Sequence, residues 1–307
     1  SVCRSAPLGE LATSLMVDAE FKTQTKAKAQ PGFAYTLPYG QSILANSKVF
    51  NAHFASVQPL AYKNVAKLLR TGVILDYGMS DDQLSSALLR LGVAEAMNGP
   101  NNFQADVSKQ DSSHTAAFLH AFLLILRDAL VSDEFLRFYF EYARNYSFCA
   151  RGSDKTKSSV SFNLGSGDPF TLLRNDIMEL CVIACRYADA DSMVIVEKGD
   201  DVHGILSTLC PSPLSRLRSI KSVKLTTDYG TVGYHAGRFH NGVRYLVDPV
   251  RAFYKHFTRL SDENVTDEAL YRSYVSRATN YSDAEIEFLY VACCAPAAGC
   301  TLASGLF

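Results

Sequence analysis

Asp191-Ser192-Met193-Val194-Ile195-Val196-Glu197-Lys198-Gly199-Asp200-Asp201-Val202-His203-Gly204-Ile205-Leu206 is the stretch on which the fold turns. Two apolar, β-branched runs flank Gly199-Asp200-Asp201, which predicts a hairpin with adjacent carboxylates at an exposed tip. Ordinary hairpin turns also use glycine and aspartate, so the tip acquires chemical meaning only in company. A Gly-Asp-Asp triplet arises by chance in fewer than roughly one in ten chains of this length at average composition.

Two further acidic stations precede it. Asp106-Val107-Ser108-Lys109-Gln110-Asp111 closes a predicted strand over residues 102–107, and Ser166-Gly167-Asp168-Pro169-Phe170-Thr171-Leu172-Leu173-Arg174-Asn175 reads as a turn feeding a helix. Asp-x4-Asp carries little weight alone, because Asp128 and Asp133 repeat it at a helix end. The spaced set Ser166, Gly167, Asp168, Thr171 and Asn175 carries far more, with fewer than about one chance match per thousand chains. In-line phosphoryl transfer needs two divalent cations held close together, and carboxylates arriving from separate elements are the simplest holders. Asp106, Asp200 and Asp201 are the candidate carboxylates. Left alone, they repel by several kcal/mol per pair at an effective dielectric near 20, a cost that a bound cation removes.

Thr171 and Asn175 lie four apart on one helix face. With Asp111 and Ser166 they supply the hydroxyl, carboxamide and carboxylate suited to a ribose 2′-hydroxyl, which both donates and accepts. Capping and turn formation are the competing role for Ser166 and Asp168.

Composition frames these readings. With 307 residues, 48% hydrophobic and 20% charged, the chain buries a large core and has no disordered character. Its net charge of −1 gives no global nucleic-acid signal, so any such role must rest on local basic clusters. Eight cysteines lack Cys-x2-Cys spacing and no secretory signal precedes them, which predicts reduced thiols; Cys181 and Cys185 read as a packing pair in a helix. The longest apolar run, residues 121–126, is too short to span a bilayer.

Along the chain, the patterns predict a helix over residues 8–19, then a cationic strand or arm, Phe21 to Lys28, carrying Lys22, Lys26 and Lys28. Its cationic edge suits a triphosphate or template backbone. Residues 54–69 predict helix in two pieces broken near Pro59. Ser80 caps a helix with Leu84, Ala87, Leu88 and Leu91 at helical spacing. Helices over residues 112–130 and 133–146 follow, then a Ser/Lys-rich loop over 151–159. A strand or turn at 219–226 contains Lys224, and Gly233 with Gly237 suggests a tight ribbon. Asp248-Pro249 starts a helix with Arg251, Lys255 and Arg259 every four residues, a basic stripe suited to duplex phosphates or to solvent. Two helices, near 266–279 and 282–294, complete the chain, the last with a Ser282/Glu285 capping box. His114, His120, His203, His235, His240 and His256 are scattered and read as structural or surface residues.

The three stations resemble motifs A, B and C of RNA-dependent RNA polymerases of positive-strand RNA viruses. The resemblance is to the alphavirus-like supergroup, in hepevirus-like or alphatetravirus-like form. Phe21 to Lys28 with Gly40-Gln41 resembles motif F; Ser222 to Leu225 and Gly233-Tyr234-His235-Ala236-Gly237 resemble motifs D and E. The resemblance implies an α+β right hand of fingers, palm and thumb, with an antiparallel palm sheet flanked by helices. It divides the chain into fingers with motif F at 1–52, palm with motif A at 53–128 and a fingers insertion at 129–164. Palm with motifs B to E follows at 165–248 and a helical thumb at 249–307.

By the same resemblance, Asp106 and Asp200 ligate two Mg²⁺ or Mn²⁺ ions with Asp201 in support. Asp111, Ser166, Gly167, Thr171 and Asn175 select ribose; Lys22, Lys26 and Lys28 hold the triphosphate; Lys224 protonates the pyrophosphate. The partners implied are RNA template and product duplex, nucleoside triphosphates and other replicase domains or viral proteins. The setting is host cytoplasm, at membrane-associated replication complexes reached through partners. A reverse transcriptase is disfavoured by Lys198, where an aromatic residue usually stands, and by Asn175. A non-catalytic palm serving as an RNA-binding replication factor is the alternative class.

Overall fold

The computed structural model describes residues 16–21, 28–30, 34–36, 42–46, 48–150, 157–165, 167–187, 193–207, 223, 225–257, 266, 268–269, 272 and 281–294. Lys22, Lys26, Ser166, Lys224 and Arg259 lie outside these residues, as does the motif F reading apart from short strands.

The first strands are β1 (Met16–Phe21), β2 (Lys28–Gln30), β3 (Ala34–Thr36) and β4 (Ser42–Ala45). The helix predicted over residues 8–19 therefore does not extend to 16–19. β1 pairs with Ser42–Ala45 through Asp18–Phe21 on one side and with β7 (Asn145–Ala150) through Met16–Ala19 on the other, and this sheet pairing overrides local helix preference. With β8 (Lys157–Ser161) they form a sheet ordered β4-β1-β7-β8. Two corrections follow: the predicted helix 133–146 gives way to strand at Asn145, and the predicted loop 151–159 is strand from Lys157.

Helices α1 (Lys48–Phe54) and α2 (Val57–Leu68) are separated at Ala55-Ser56 rather than at Pro59. Pro59 sits in the first turn of α2, where its missing N–H has no intrahelical partner to lose. After β5 (Val73–Leu75) comes α3 (Asp81–Arg90), whose Ser80–Gln83 capping box is complete. The helix predicted over 112–130 is two, α4 (Gln110–Ser113) and α5 (Ala116–Asp128), because His114 and Thr115 are extended. Helix α6 spans Asp133–Arg144 and α7 spans Thr171–Arg186.

The site rests on a five-stranded sheet ordered β11-β6-β10-β9-β5, containing β6 (Asn102–Val107), β9 (Met193–Lys198), β10 (Asp201–Leu206) and β11 (Leu225–Tyr229). All its pairings are antiparallel except the edge strand β5, which runs parallel to β9. Helix α7 covers one face, burying Leu173, Ile177, Val182 and Ile183. Beside it, Phe54, Phe122, Tyr139 and Phe170 meet edge-to-face, with ring centroids 5.2–6.0 Å apart across the contacts of Phe170 and Tyr139. The aromatic density of α6 thus locks α1, α5 and α7 into one core.

A small sheet of β12 (Tyr234–His235), β13 (Arg238–His240) and β14 (Tyr245–Val247) adjoins the main one. Helices α8 (Pro249–Phe257) and α9 (Asp283–Cys294) follow. The predicted Ser282/Glu285 capping box forms, and Glu285 also takes Arg244 in a bidentate pair at 2.7 and 2.9 Å. Cys181 and Cys185 are free thiols packed in the core. Among the described residues no helix is long and apolar enough to cross a membrane.

Candidate active site

The β9–β10 hairpin closes through Gly199 and Asp200 alone, since Lys198 pairs with Asp201. Asp201, expected in the turn, is therefore the first residue of a strand. Gly199 adopts φ +70°, and a Cβ there would lie 2.8 Å from Leu172 Cδ1. The left-handed backbone favours glycine at this tip, and a larger residue would also have to displace the Leu172 side chain.

Val202 pairs with Ala105, so the register carried one residue further sets Asp201 opposite Asp106. Side chains directly opposite on antiparallel strands have Cβ atoms roughly 4.5–5.5 Å apart, and like charges there are destabilising. Asp106 and Asp200 are exposed and Asp201 is half-buried, so the group opens to solvent. Among the described residues no three acidic, imidazole or thiol groups enclose a metal by themselves. Mg²⁺ takes one or two protein carboxylates and completes its shell with water and substrate phosphate. Asp106, Asp200 and Asp201 are donors of the type that would hold a divalent cation together with water and substrate phosphate.

Behind the tip stands a second acidic layer that sequence reasoning missed. Glu179, on α7, is fully buried; burial, then Asp106, Asp200 and Asp201, push its carboxyl well above the usual range. Glu197 is equally buried and raised by burial and by Glu179, and neither oxygen finds a hydrogen-bond partner among the described residues. Burial and the neighbouring carboxylates favour the protonated form of both. Asp176 is pushed up to about 7 by burial, although the Gly199 N–H and the Tyr62 hydroxyl both donate to it. Asp176 thus ties α7 to the hairpin tip. A signal for this layer was present: Glu179 lies four residues after Asn175 on the same helix face, and Glu197 interrupts an apolar strand.

Asp111 and Asn175 come together as expected, with Asn175 Nδ2 donating to Asp111 Oδ1 at 2.9 Å. Burial raises the Asp111 carboxyl, the Asn175 bond lowers it, and Asp200 raises it again. Thr171 does not reach this pair: its hydroxyl lies 2.8 Å from the Gly165 carbonyl and 2.7 Å from that of Asp168, closing its own turn. The Gly167 carbonyl accepts from Asn46 Nδ2 at 2.8 Å. Asp168 is buried with Arg174 and Tyr139, whose hydroxyl donates to its two oxygens at 2.9 and 3.0 Å.

Arg251 is half-buried against Gly237 and donates to the Tyr234 hydroxyl at 3.3 Å, so it engages the small sheet rather than standing in an open stripe. Of the basic residues read as phosphate contacts, Lys28 and Lys255 fall in described backbone.

Beside the tip, Asp76 accepts from Lys198 at 3.1 Å and from Arg238, and lies 3.3 Å from His235 Nε2. Burial alone would raise its carboxyl, but His235 and Arg238 outweigh it and hold the group at about 2. A depressed carboxyl contributes stability that is present above its unfolded value, near 4, and lost as pH falls through 2. The unfolding free energy of the wild type, minus that of Asp76→Asn, is expected to shrink by roughly 2 kcal/mol between about pH 5 and 2 in urea titrations. A gap independent of pH would remove this ion cluster from the account.

The family described as RNA dependent RNA polymerase matches residues 13–297. The chain is 29% identical over 200 residues to the non-structural polyprotein pORF1 of hepatitis E virus genotype 1 (isolate Human/Burma), and 27% identical over 199 residues to that of genotype 2 (isolate Human/Mexico). Each match covers 64% of this chain and 11% of the polyprotein. Among solved structures, the RNA-dependent RNA polymerase of a human picobirnavirus shares the fold: its insertion-loop deletion mutant aligns at TM-score 0.61 and 14% identity, over 91% of this chain and 57% of that one. The other crystal structure of that polymerase aligns at TM-score 0.55, 13% identity, over 91% and 55%. The chain belongs to the RNA-dependent RNA polymerase family, with the hepevirus-like character of the alphavirus-like positive-strand RNA viruses.

Proposed function

We propose that this chain is the catalytic core of a viral replicase, extending RNA on an RNA template from nucleoside triphosphates at the Asp106, Asp200 and Asp201 cluster. The observation that carries this reading is the register that sets Asp106 opposite Asp201, beside the exposed Asp200. Asp106, Asp200 and Asp201 would hold two Mg²⁺ or Mn²⁺ ions, which when bound lower the barrier by stabilising the attacking and leaving oxygens. The 3′-hydroxyl of the growing strand gives its proton to solvent as its oxygen bonds to the α-phosphorus, the bond from that phosphorus to the α–β bridging oxygen breaks, and pyrophosphate departs. Asp111 and Asn175 orient the ribose so that this attack is in line. Burial favours the protonated form of Glu179 and Glu197, which limits the negative charge beneath the cation-holding group. Lys22, Lys26 and Lys28 bind the triphosphate, Lys224 protonates the leaving pyrophosphate, and Arg251, Lys255 and Arg259 contact RNA. The proposed hand has fingers at 1–52 and 129–164, palm at 53–128 and 165–248, and thumb at 249–307. Other replicase domains supply attachment to cytoplasmic membranes.

Incorporation of labelled ribonucleotides on a short RNA template, with Mg²⁺, Mn²⁺ or chelator, tests the reading. Extension that needs the cation and disappears in Asp200→Ala is the expected result. Retained RNA binding without extension in the wild type would favour a non-catalytic replication factor.

A further inference from the structure

We propose that His114 fixes the orientation of the Asn175 carboxamide and is thereby a positioning residue for selecting ribonucleotides over deoxyribonucleotides. This inference rests on the reading of Asp111 and Asn175 as the ribose site.

His114 ends α4, where the backbone turns to φ −63°, ψ 142° and carries the imidazole inward, to 3% exposure. Its Nε2 lies 2.8 Å from Asn175 Oδ1, while Asn175 Nδ2 lies 2.9 Å from Asp111 Oδ1. An ionised carboxylate only accepts, so the amide nitrogen must face Asp111 and the amide oxygen must face His114. His114 Nε2 must then carry the proton. The three residues form a one-way series in which His114 donates to Asn175 and Asn175 donates to Asp111. Reversing the carboxamide would set two acceptors against each other at Asp111 and two donors against each other at His114.

The backbone beneath this series is held separately. Gln110 Nε2 donates to the Asn175 carbonyl at 3.0 Å and to Glu179 Oε2 at 3.2 Å. Loss of the imidazole therefore acts on the Asn175 side chain rather than on the helix. Burial, with Arg174 nearby, lowers the imidazole to about 3, so it stays neutral and keeps one donor through the working pH range. Its Nδ1 is buried and finds no hydrogen-bond partner among the described residues. Within this neighbourhood the imidazole bonds to the carboxamide alone.

A site that hydrogen-bonds a substrate hydroxyl rejects the analogue lacking it, because its own polar groups are left unpaired. That rejection needs Asn175 and Asp111 in fixed orientation. Without a donor at Nε2, the buried Asn175 oxygen turns to find another, and the pair loses its setting.

The test is kcat/KM for a ribonucleotide and for the matching deoxyribonucleotide on an RNA template. It uses the wild type, His114→Leu, His114→Gln, His114→Asn and Asn175→Ala, with a urea midpoint for each. The ratio is internal to each variant, so general destabilisation cancels. His114→Leu is expected to lower the ribo-to-deoxy ratio roughly tenfold, chiefly through KM for the ribonucleotide. His114→Gln, whose amide nitrogen reaches the Nε2 position, is expected to stay within about twofold of wild type, and His114→Asn, one carbon shorter, to behave like leucine. Should the leucine variant fail to fold, the Gln and Asn pair decides the matter alone. Equal ratios in Gln, Asn and wild type, or a loss in Gln as large as in Asn, would overturn the inference. If Asn175→Ala lowers the ratio and the His114 variants do not, the ribose site stands and the role of His114 falls. If Asn175→Ala leaves the ratio unchanged, the ribose reading itself fails.

Discussion

Replacing Arg174 with methionine will lower the free energy of unfolding by about 3–5 kcal/mol. The guanidinium is 1% exposed and faces Asp168, 2% exposed at its side chain, at 3.6 Å. It also donates to the Tyr139 hydroxyl at 3.4 Å and to the Phe162 carbonyl at 3.3 Å. Removing it leaves a buried carboxylate beside Tyr139 with no cation to offset its desolvation. Burial already raises Asp168 above the usual range, with Arg174 as the main opposing influence, so the variant's carboxyl takes up a proton more readily. The deficit should consequently narrow as pH falls, because protonation neutralises the stranded charge. Adding Asp168→Asn to the methionine variant should recover part of the loss. A single variant within about 1 kcal/mol of wild type in urea titration would show that the ion pair does not hold the motif B turn.

Asp106→Asn should separate stability from activity. The β6–β10 register, carried one residue past Val202 and Ala105, brings Asp106 and Asp201 to neighbouring positions, and removing one of two like charges there is expected to let the metal-free protein keep or slightly raise its melting temperature. On the proposed role of Asp106 as a carboxylate that would hold the cation, RNA synthesis should fall roughly a thousandfold, because several kcal/mol of transition-state charge stabilisation would be lost. A variant that loses stability and activity together would instead make Asp106 a structural residue.

The features most legible in the sequence were those in which local pattern and chemistry coincide. Residues 102–107 form the expected strand, Asp106 near its end, because apolar and polar residues alternate there. The Gly199-Asp200 turn follows from two β-branched runs separated by a glycine. The pairing of Asp111, near the bend after β6, with Asn175, on a helix 64 residues later, was legible from the chemistry of a ribose hydroxyl and from the motif resemblance.

What was not legible depends on partners distant in sequence. Residues 16–19 become strand only because residues 147–150, with residues 44–45 on the other side, pair with them. Asp176 reads as an ordinary helical residue until the fold brings Gly199 and Tyr62 to it. His114 reads as one of several scattered histidines until α7 places Asn175 against its ring. The Thr171 hydroxyl, read as a ligand group, turns instead to carbonyls within its own turn.

The most direct measurement is to supply two RNA templates of different sequence with all four ribonucleotides and Mg²⁺, then sequence the products. Products complementary to each template, absent in Asp200→Ala, are the predicted result. Products whose sequence ignores the template, or products that persist in Asp200→Ala, would contradict template-directed synthesis at this cluster.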